Sequence, residues 1–296
     1  MSRVNRDAHG NLLEMDFGMR KFWFVLVAVV LAACEKAVMP EESGHETGAN
    51  LVLRMEAGDG VTRGSVGLGD VCGRLNVAVF DAGGTKVKTV AQSSADASFG
   101  LVSLAVAPGT YRVVAVGHNC GGSATITNAE KVTFPNNKVT DTFSYCGEVT
   151  VGETGGETVV TLHRVVAMLR LTLTGGSLRD DIASLKFYYT GGSSTLSPLT
   201  GFGCVNSRQT EVRAFNADGV YEVFTFPHET DDVLTKVTIT AYDAGDNELG
   251  ECVLENVPVH RNRVTNYTGD IFGGGGSLAI PMQADAEWGG EDSFAF

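Results

Sequence analysis

Leu169-Arg-Leu-Thr-Leu-Thr174 alternates apolar and polar residues. On an extended strand that pattern sends every leucine to one face and every polar group to the other. Val237-Thr-Ile-Thr-Ala-Tyr242 and Leu75-Asn-Val-Ala-Val-Phe80 read the same way. From Asn50 onward such runs are short and are interrupted by Gly, Asp, Asn and Pro. No stretch sustains the 3.6-residue apolar period of a capped helix beyond about three turns. The sequence therefore predicts an all-β protein.

The interruptions carry turn chemistry. Val79-Phe-Asp-Ala-Gly-Gly-Thr85 resembles Ala241-Tyr-Asp-Ala-Gly-Asp-Asn247, and Gly109-Thr-Tyr-Arg-Val113 resembles Gly219-Val-Tyr-Glu-Val223. Asp and Gly supply the left-handed backbone that hairpins need. The two signatures occur in opposite order in the two halves, so they do not define a sequence repeat, although they fit two β units of similar construction. The acidic, glycine-rich Gly152-Glu-Thr-Gly-Gly-Glu157 gives way to the apolar run from Val159 to Ala167, which puts a boundary near 160–167. Strands at this spacing predict two β-sandwiches in tandem, over residues 50–163 and 164–296.

At the other end, Arg20 and Lys21 precede the apolar run Phe22 to Ala33. A bilayer-spanning helix needs roughly 20 apolar residues, so this shorter run reads as a signal peptide over residues 1–33, cut between Ala33 and Cys34. Met19 stands directly before Arg20 and is an alternative start. Leu31-Ala-Ala-Cys34 resembles the lipobox of bacterial lipoproteins, which implies a lipid carrying palmitate on Cys34 and a stable membrane anchor. Residues 34–49 are polar and aperiodic, the composition of a flexible tether. Its acids Glu35, Glu41 and Glu42 fit either a surface-export signal or a merely solvated linker.

The chain holds 22 Lys+Arg against 35 Asp+Glu, a net charge of −13. That balance argues against nucleic acid as a partner and against electrostatic adhesion to anionic lipid. Of six cysteines, Cys72, Cys120, Cys146, Cys204 and Cys252 remain once Cys34 is acylated. None stands in a C-x-x-C pair, so the spacing specifies neither a disulfide framework nor zinc; disulfides and small buried thiols both fit. His118, His163, His228 and His260 are scattered without a partner at ligand spacing, which favours structural or solvent-exposed roles. Asp243-Ala-Gly-Asp-Asn-Glu248 lacks the ligand order of a calcium loop and reads as a hairpin turn. No nucleophile, base or metal constellation emerges, so the expectation is no enzyme, no cofactor and no metal.

Taken in order, the lipobox, Arg74 to Asp81, Pro108 to Ala115, Leu162 to Arg170 and Val257 to Phe272 resemble the Bacteroidales fimbrillin superfamily, its lipoprotein anchor and accessory subunits in particular. The resemblance covers nearly the whole mature chain. It implies transthyretin-like Greek-key sandwiches and a lipid-anchored, surface-exposed place on the outer membrane and in the fimbrium. It also implies other fimbrial subunits as partners, joined by β-strand exchange. Shaft and tip subunits of that superfamily lose an N-terminal strand by cleavage after an arginine, whereas anchors stay uncut. Arg63, in Asp59-Gly-Val-Thr-Arg-Gly64, is the matching position or an ordinary loop arginine. Arg54 is a second candidate that interrupts the pattern of Leu51 to Met55.

The C-terminal stretch Gly273 to Gly276 precedes a tail, residues 277–296, with Leu278, Ile280, Met282, Trp288, Phe294 and Phe296. A glycine hinge before an apolar tail fits a donor strand, and it fits a closing intramolecular strand equally. The competing function, a surface lipoprotein that binds a glycan or nutrient, predicts aromatic side chains grouped on loops.

Overall fold

The alternation becomes strand after strand in the computed structural model, which describes residues 48–58, 66–272, 277–278 and 291–293. The first half runs through β1 (Leu51–Gly58), β2 (Val66–Gly67), the helical turn α1 (Leu68–Val71), β3 (Arg74–Phe80), β4 (Lys86–Ser93) and β5 (Leu101–Leu104). It continues through β6 (Gly109–His118), β7 (Thr125–Asn128), β8 (Lys131–Thr133), β9 (Thr142–Val151) and β10 (Gly156–Arg164). The second half opens with β11 (Ala167–Leu173), β12 (Ser184–Thr190), β13 (Thr195–Ser197), β14 (Phe202–Gly203), β15 (Arg208–Ala214) and β16 (Val220–Thr225). It closes with β17 (Asp232–Tyr242), β18 (Glu248–Val259), β19 (Val264–Asp270), β20 (Ser277–Leu278) and β21 (Glu291–Ser293).

Each half is a sandwich. In the first, β1 lies between β10, to which it runs parallel, and the antiparallel β5 and β2; the facing layer has the order β4-β3-β6-β9. Leu51, Leu53, Met55 and Ala57 of β1 are buried against Leu75, Val77, Val113, Val160 and Leu162. The second half repeats the plan, with β11 parallel to β19 and antiparallel to β16 over a layer ordered β15-β12-β17-β18. Its core gathers Leu169, Leu171, Phe187, Tyr189, Val237, Ile239 and Tyr267. In both sandwiches the first strand therefore pairs parallel with a strand late in its half, β10 or β19.

A third apolar cluster joins the two halves. Ala78, Phe80, Val114 and Val116, on the outer face of β3 and β6, pack with Ile126, Val132 and Phe134 and with Val165, Val166, Leu196 and Phe226. Leu75–Phe80 is thus buried on both faces rather than half-buried like β11, a correction to the simple alternation read from the sequence. The backbone crosses the junction too, because β8 pairs with β13 (Thr195↔Thr133, Leu196↔Val132). An ionic clasp adds to it: Glu211, 4% exposed, accepts from Lys138 Nζ of the first half at 2.7 Å and from Arg213 Nη1 at 2.7 Å.

The matching turn signatures fold alike. Asp81 Oδ1 accepts from the N–H of Gly83 and of Thr85, and Asp243 Oδ1 from those of Gly245 and Asn247. Each turn uses one left-handed residue, Gly84 (φ 78) or Asp246 (φ 60). They occupy different hairpins of the shared plan, β3–β4 in one sandwich and β17–β18 in the other. The reversed order in the sequence is local turn chemistry reused at non-equivalent corners.

Candidate strand-exchange site

Strand β1 carries Arg54, one of the two arginines singled out from the sequence. Its alternate residues are buried, and its whole length is held by an eight-residue parallel register from Leu51↔Gly156 to Gly58↔His163. Burying Leu51, Leu53 and Met55 contributes about 1.5–3 kcal/mol each. Arg54 sits inside this ladder with its side chain outward, 2.6 Å from Glu157, so its backbone is paired on the strand rather than offered as a loop. Ala33, Cys34, Arg63, Ile280, Met282, Trp288, Phe294 and Phe296 lie outside the described residues. Leu278 belongs to β20, which pairs antiparallel with β19 (Gly269↔Leu278), while β21 pairs parallel with the same strand (Val264↔Glu291, Asn266↔Ser293).

The edge of β10 away from β1 is a feature the sequence did not announce. Gly156 N–H donates to Asn50 O at 3.0 Å. In the parallel register that follows, the backbone groups of Gly156, Thr158, Val160 and Leu162 point at β1. Those of Glu157, Val159 and Thr161 consequently point outward. Among the described residues, β10 pairs on that side only at its end, His163↔Ser144 and Arg164↔Phe143. Val159 is 55% exposed there.

This edge borders a cavity of about 780 Å³, lined also by Ser144 and Cys146 of β9, the 198–201 turn and Arg261, Asn262 and Arg263. Arg164 in its wall is neutralised, with both carboxylate oxygens of Asp141 accepting from it at 2.8 and 2.9 Å. Arg261 is exposed; its guanidinium lies 4.8 Å from the Phe202 ring centroid and so close to Gly201 that a Cβ there would meet Nη1 at 2.6 Å. Ser144, 6% exposed, has a buried hydroxyl with no hydrogen-bond partner. The stretch His260-Arg-Asn-Arg263 lies within the Val257 to Phe272 run, and its neighbours come from elements about 60 to 120 residues away in the chain.

The remaining chemistry is structural. His118 is fully buried; its Nδ1 accepts from Cys120 N–H at 3.1 Å, which makes Nε2 the donor to Asn76 Oδ1 at 3.0 Å. Asn76 Oδ1 also accepts from Ala124 N–H at 2.9 Å, so the trio ties the 119–124 loop to β3. Burial and the nearby Arg74 charge lower the His118 pKa to about 4. His228 Nδ1 lies 3.1 Å from Asp232 Oδ2, and His260 Nδ1 lies 2.9 Å from Thr230 O. Hydrogen bonds from Asn247 and Gly245 hold the Asp243 carboxyl below the usual carboxylate range. Cys72, Cys120, Cys146, Cys204 and Cys252 carry free thiols, and burial pushes that of Cys72 up to about 12. Among the described residues no three His, Cys, Asp or Glu side chains are grouped to hold a metal ion.

Two solved structures with similar folds are fimbrial proteins. The fimbrial anchor protein Mfa2 of Porphyromonas gingivalis is 11% identical, with 68% of this chain and 80% of that one covered at a TM-score of 0.37. A fimbrial assembly protein of Parabacteroides distasonis is 14% identical, with 79% and 94% covered at a TM-score of 0.41. No curated protein sequence matches the chain. The family model of the fimbrillin-A associated anchor proteins Mfa1 and Mfa2 matches the chain over residues 49–292, which takes in the strands from β1 to β20 and the start of β21. The chain belongs to that family of anchor proteins.

Proposed function

We propose that this protein is a non-catalytic subunit of a cell-surface fimbria, its membrane anchor or an accessory component, assembling with other fimbrial subunits by β-strand exchange. The observation that carries the reading is the family match across residues 49–292. The position of β1 supports it: a strand flanked on both sides, whose removal would leave an apolar slot with unpaired backbone groups. A signal peptide over 1–33 is cut between Ala33 and Cys34, the lipid on Cys34 holds the protein at the outer membrane, and residues 34–49 are the tether. The two domains are residues 50–163 and 164–296. Cleavage after Arg63 would release β1 and convert an anchor into a shaft-like acceptor, whereas an intact chain keeps β1 and its lipid. The tail with Leu278, Ile280, Met282, Trp288, Phe294 and Phe296 is the donor element.

Labelled palmitate fed to the native cells is expected to enter the wild-type protein and not Cys34→Ala, and the variant is expected to leave the membrane fraction. Loss of the gene is expected to change fimbrial length, attachment or composition. Fimbriae unchanged in all three respects would overturn the proposal.

A further inference from the structure

We infer that the cleft between the β3–β4 and β7–β8 turns binds a neutral oligosaccharide, a chain of uncharged hexopyranose units. None of its lining residues belongs to β1, β10 or the tail. The inference therefore goes beyond the subunit reading and can fail without it.

The floor of the cleft comes from strand register. Phe80 stands opposite Arg112 across β3 and β6, and Arg112 stands opposite Glu148 across β6 and β9, so the three side chains share the outer face of that layer. The turn that Asp81 closes forms one wall, and the β7–β8 turn, Asn128 to Glu130, forms another. A third wall reaches in from the second half, where Leu199 donates its N–H to Ala129 O at 2.9 Å. The enclosed volume is about 520 Å³, inside the range of roughly 300–1,000 Å³ typical of small-ligand sites.

The polar groups left over in this cleft are both donors and acceptors. Asp81 commits Oδ1 to its own turn, where Gly83 and Thr85 donate to it, and Asn128 commits Oδ1 to the Glu130 N–H at 2.9 Å. Asp81 Oδ2, the Asn128 amide N–H groups and the Glu130 carboxylate then have no partner among the described residues. Arg112 Nη2 lies 3.4 Å from Glu148 Oε1 with both side chains exposed, a loose pair that admits a third group. Adjacent hydroxyls on a sugar ring each donate one hydrogen bond and accept others. Carboxylates interleaved with amide and guanidinium groups match that demand.

The same inventory excludes other ligands. Asp81, Glu130 and Glu148 outnumber Arg112 in a chain of net charge −13, which disfavours uronates, sulfated sugars and nucleotides. The acids are spread around the cleft, and among the described residues no three metal-ligating side chains are grouped to hold an ion. The guanidinium in the floor opposes an organic cation. The apolar contact for the C–H face of a pyranose comes from Leu199, 50% exposed, beside Ala129. It is aliphatic, where the glycan-binding alternative predicted grouped aromatic side chains on loops.

The test probes an array of neutral oligosaccharides of glucose, galactose, mannose and N-acetylhexosamines, with uronate-bearing and sulfated chains beside them, using the intact mature protein. Isothermal titration with the soluble form of each hit follows. Saturable binding to a neutral chain is expected. Glu130→Ala and Arg112→Ala are each expected to weaken it about tenfold, the order for losing a hydrogen bond to a charged group. Leu199→Ser is expected to weaken it by a similar factor, and Val205→Ser, at an exposed valine outside the cleft, to leave it unchanged. Thermal unfolding reports that the variants remain folded.

Failure of every neutral chain to bind overturns the inference. So does binding that Glu130→Ala, Arg112→Ala and Leu199→Ser all leave unchanged. Tighter binding of the uronate or sulfated chains, or binding of spermine in place of any sugar, overturns it as well. A silent array together with fimbriae altered by loss of the gene would leave the subunit reading standing and remove only this site.

Discussion

Replacing Phe226 by alanine is expected to lower the unfolding free energy by about 3–5 kcal/mol, the range for deleting a fully buried aromatic side chain. Phe226 has no exposed surface. Its ring stacks on Phe134 of the first half at 5.4 Å and 30°, and its backbone exchanges two 3.0 Å hydrogen bonds with Ser193. The side chain thus stands in the cluster that joins the sandwiches rather than in either core. Urea unfolding should show a second effect, a single transition separating into two as the halves lose their coupling. A loss below about 1.5 kcal/mol, with the transition still single, would mean that the junction is held mainly by the β8–β13 pairing and the Lys138–Glu211–Arg213 clasp.

Acid is expected to destabilise the first sandwich through His118. The folded protein keeps this imidazole neutral with a pKa of about 4, whereas the unfolded chain titrates near 6.5. Between those values the unfolded state binds more protons than the folded one. The stabilisation is complete above about pH 6.5 and is lost as the pH falls toward 4, by about 3 kcal/mol. Urea midpoints at pH 7 and pH 4.5 measure it in the wild type and in His118→Gln. Carboxylates titrate in the same window, so the diagnostic quantity is the difference between the two slopes. Equal pH dependence in both proteins would show that His118 is not the responsible group.

The sequence made the strands legible wherever one face is wet. Leu169 to Leu173 emerged as part of β11 with its leucines in the core, and Val237 to Tyr242 as the buried end of β17. The same reasoning fell short at Leu75 to Phe80, where alternation could not reveal that a second apolar layer covers the outer face. The turn signatures gave correct local geometry and no global register, because an aspartate accepting from the N–H groups two and four residues on closes a hairpin in whatever strand pair it sits. The parallel pairing of β1 with β10 was out of reach, since nothing in Leu51–Gly58 encodes a partner about a hundred residues away. For the same reason Arg261 and Arg263 were visible as residues and invisible as a cavity wall, because Ser144 and Val159 reach them only through the closed fold.

The parallel closure of each sandwich has a mechanical consequence. A pull applied to the chain ahead of Leu51 enters β1 there, and it leaves the first sandwich along β10 toward Arg164. The two strands are parallel, so these pulls act in opposite senses along one ladder and load its hydrogen bonds in shear. All of the bonds must then yield together, whereas antiparallel strands pulled from a shared end unzip one bond at a time. Strands β2 to β9 lie outside that force path. The joint that resists such a pull is the one that ties the first strand of the sandwich to its last.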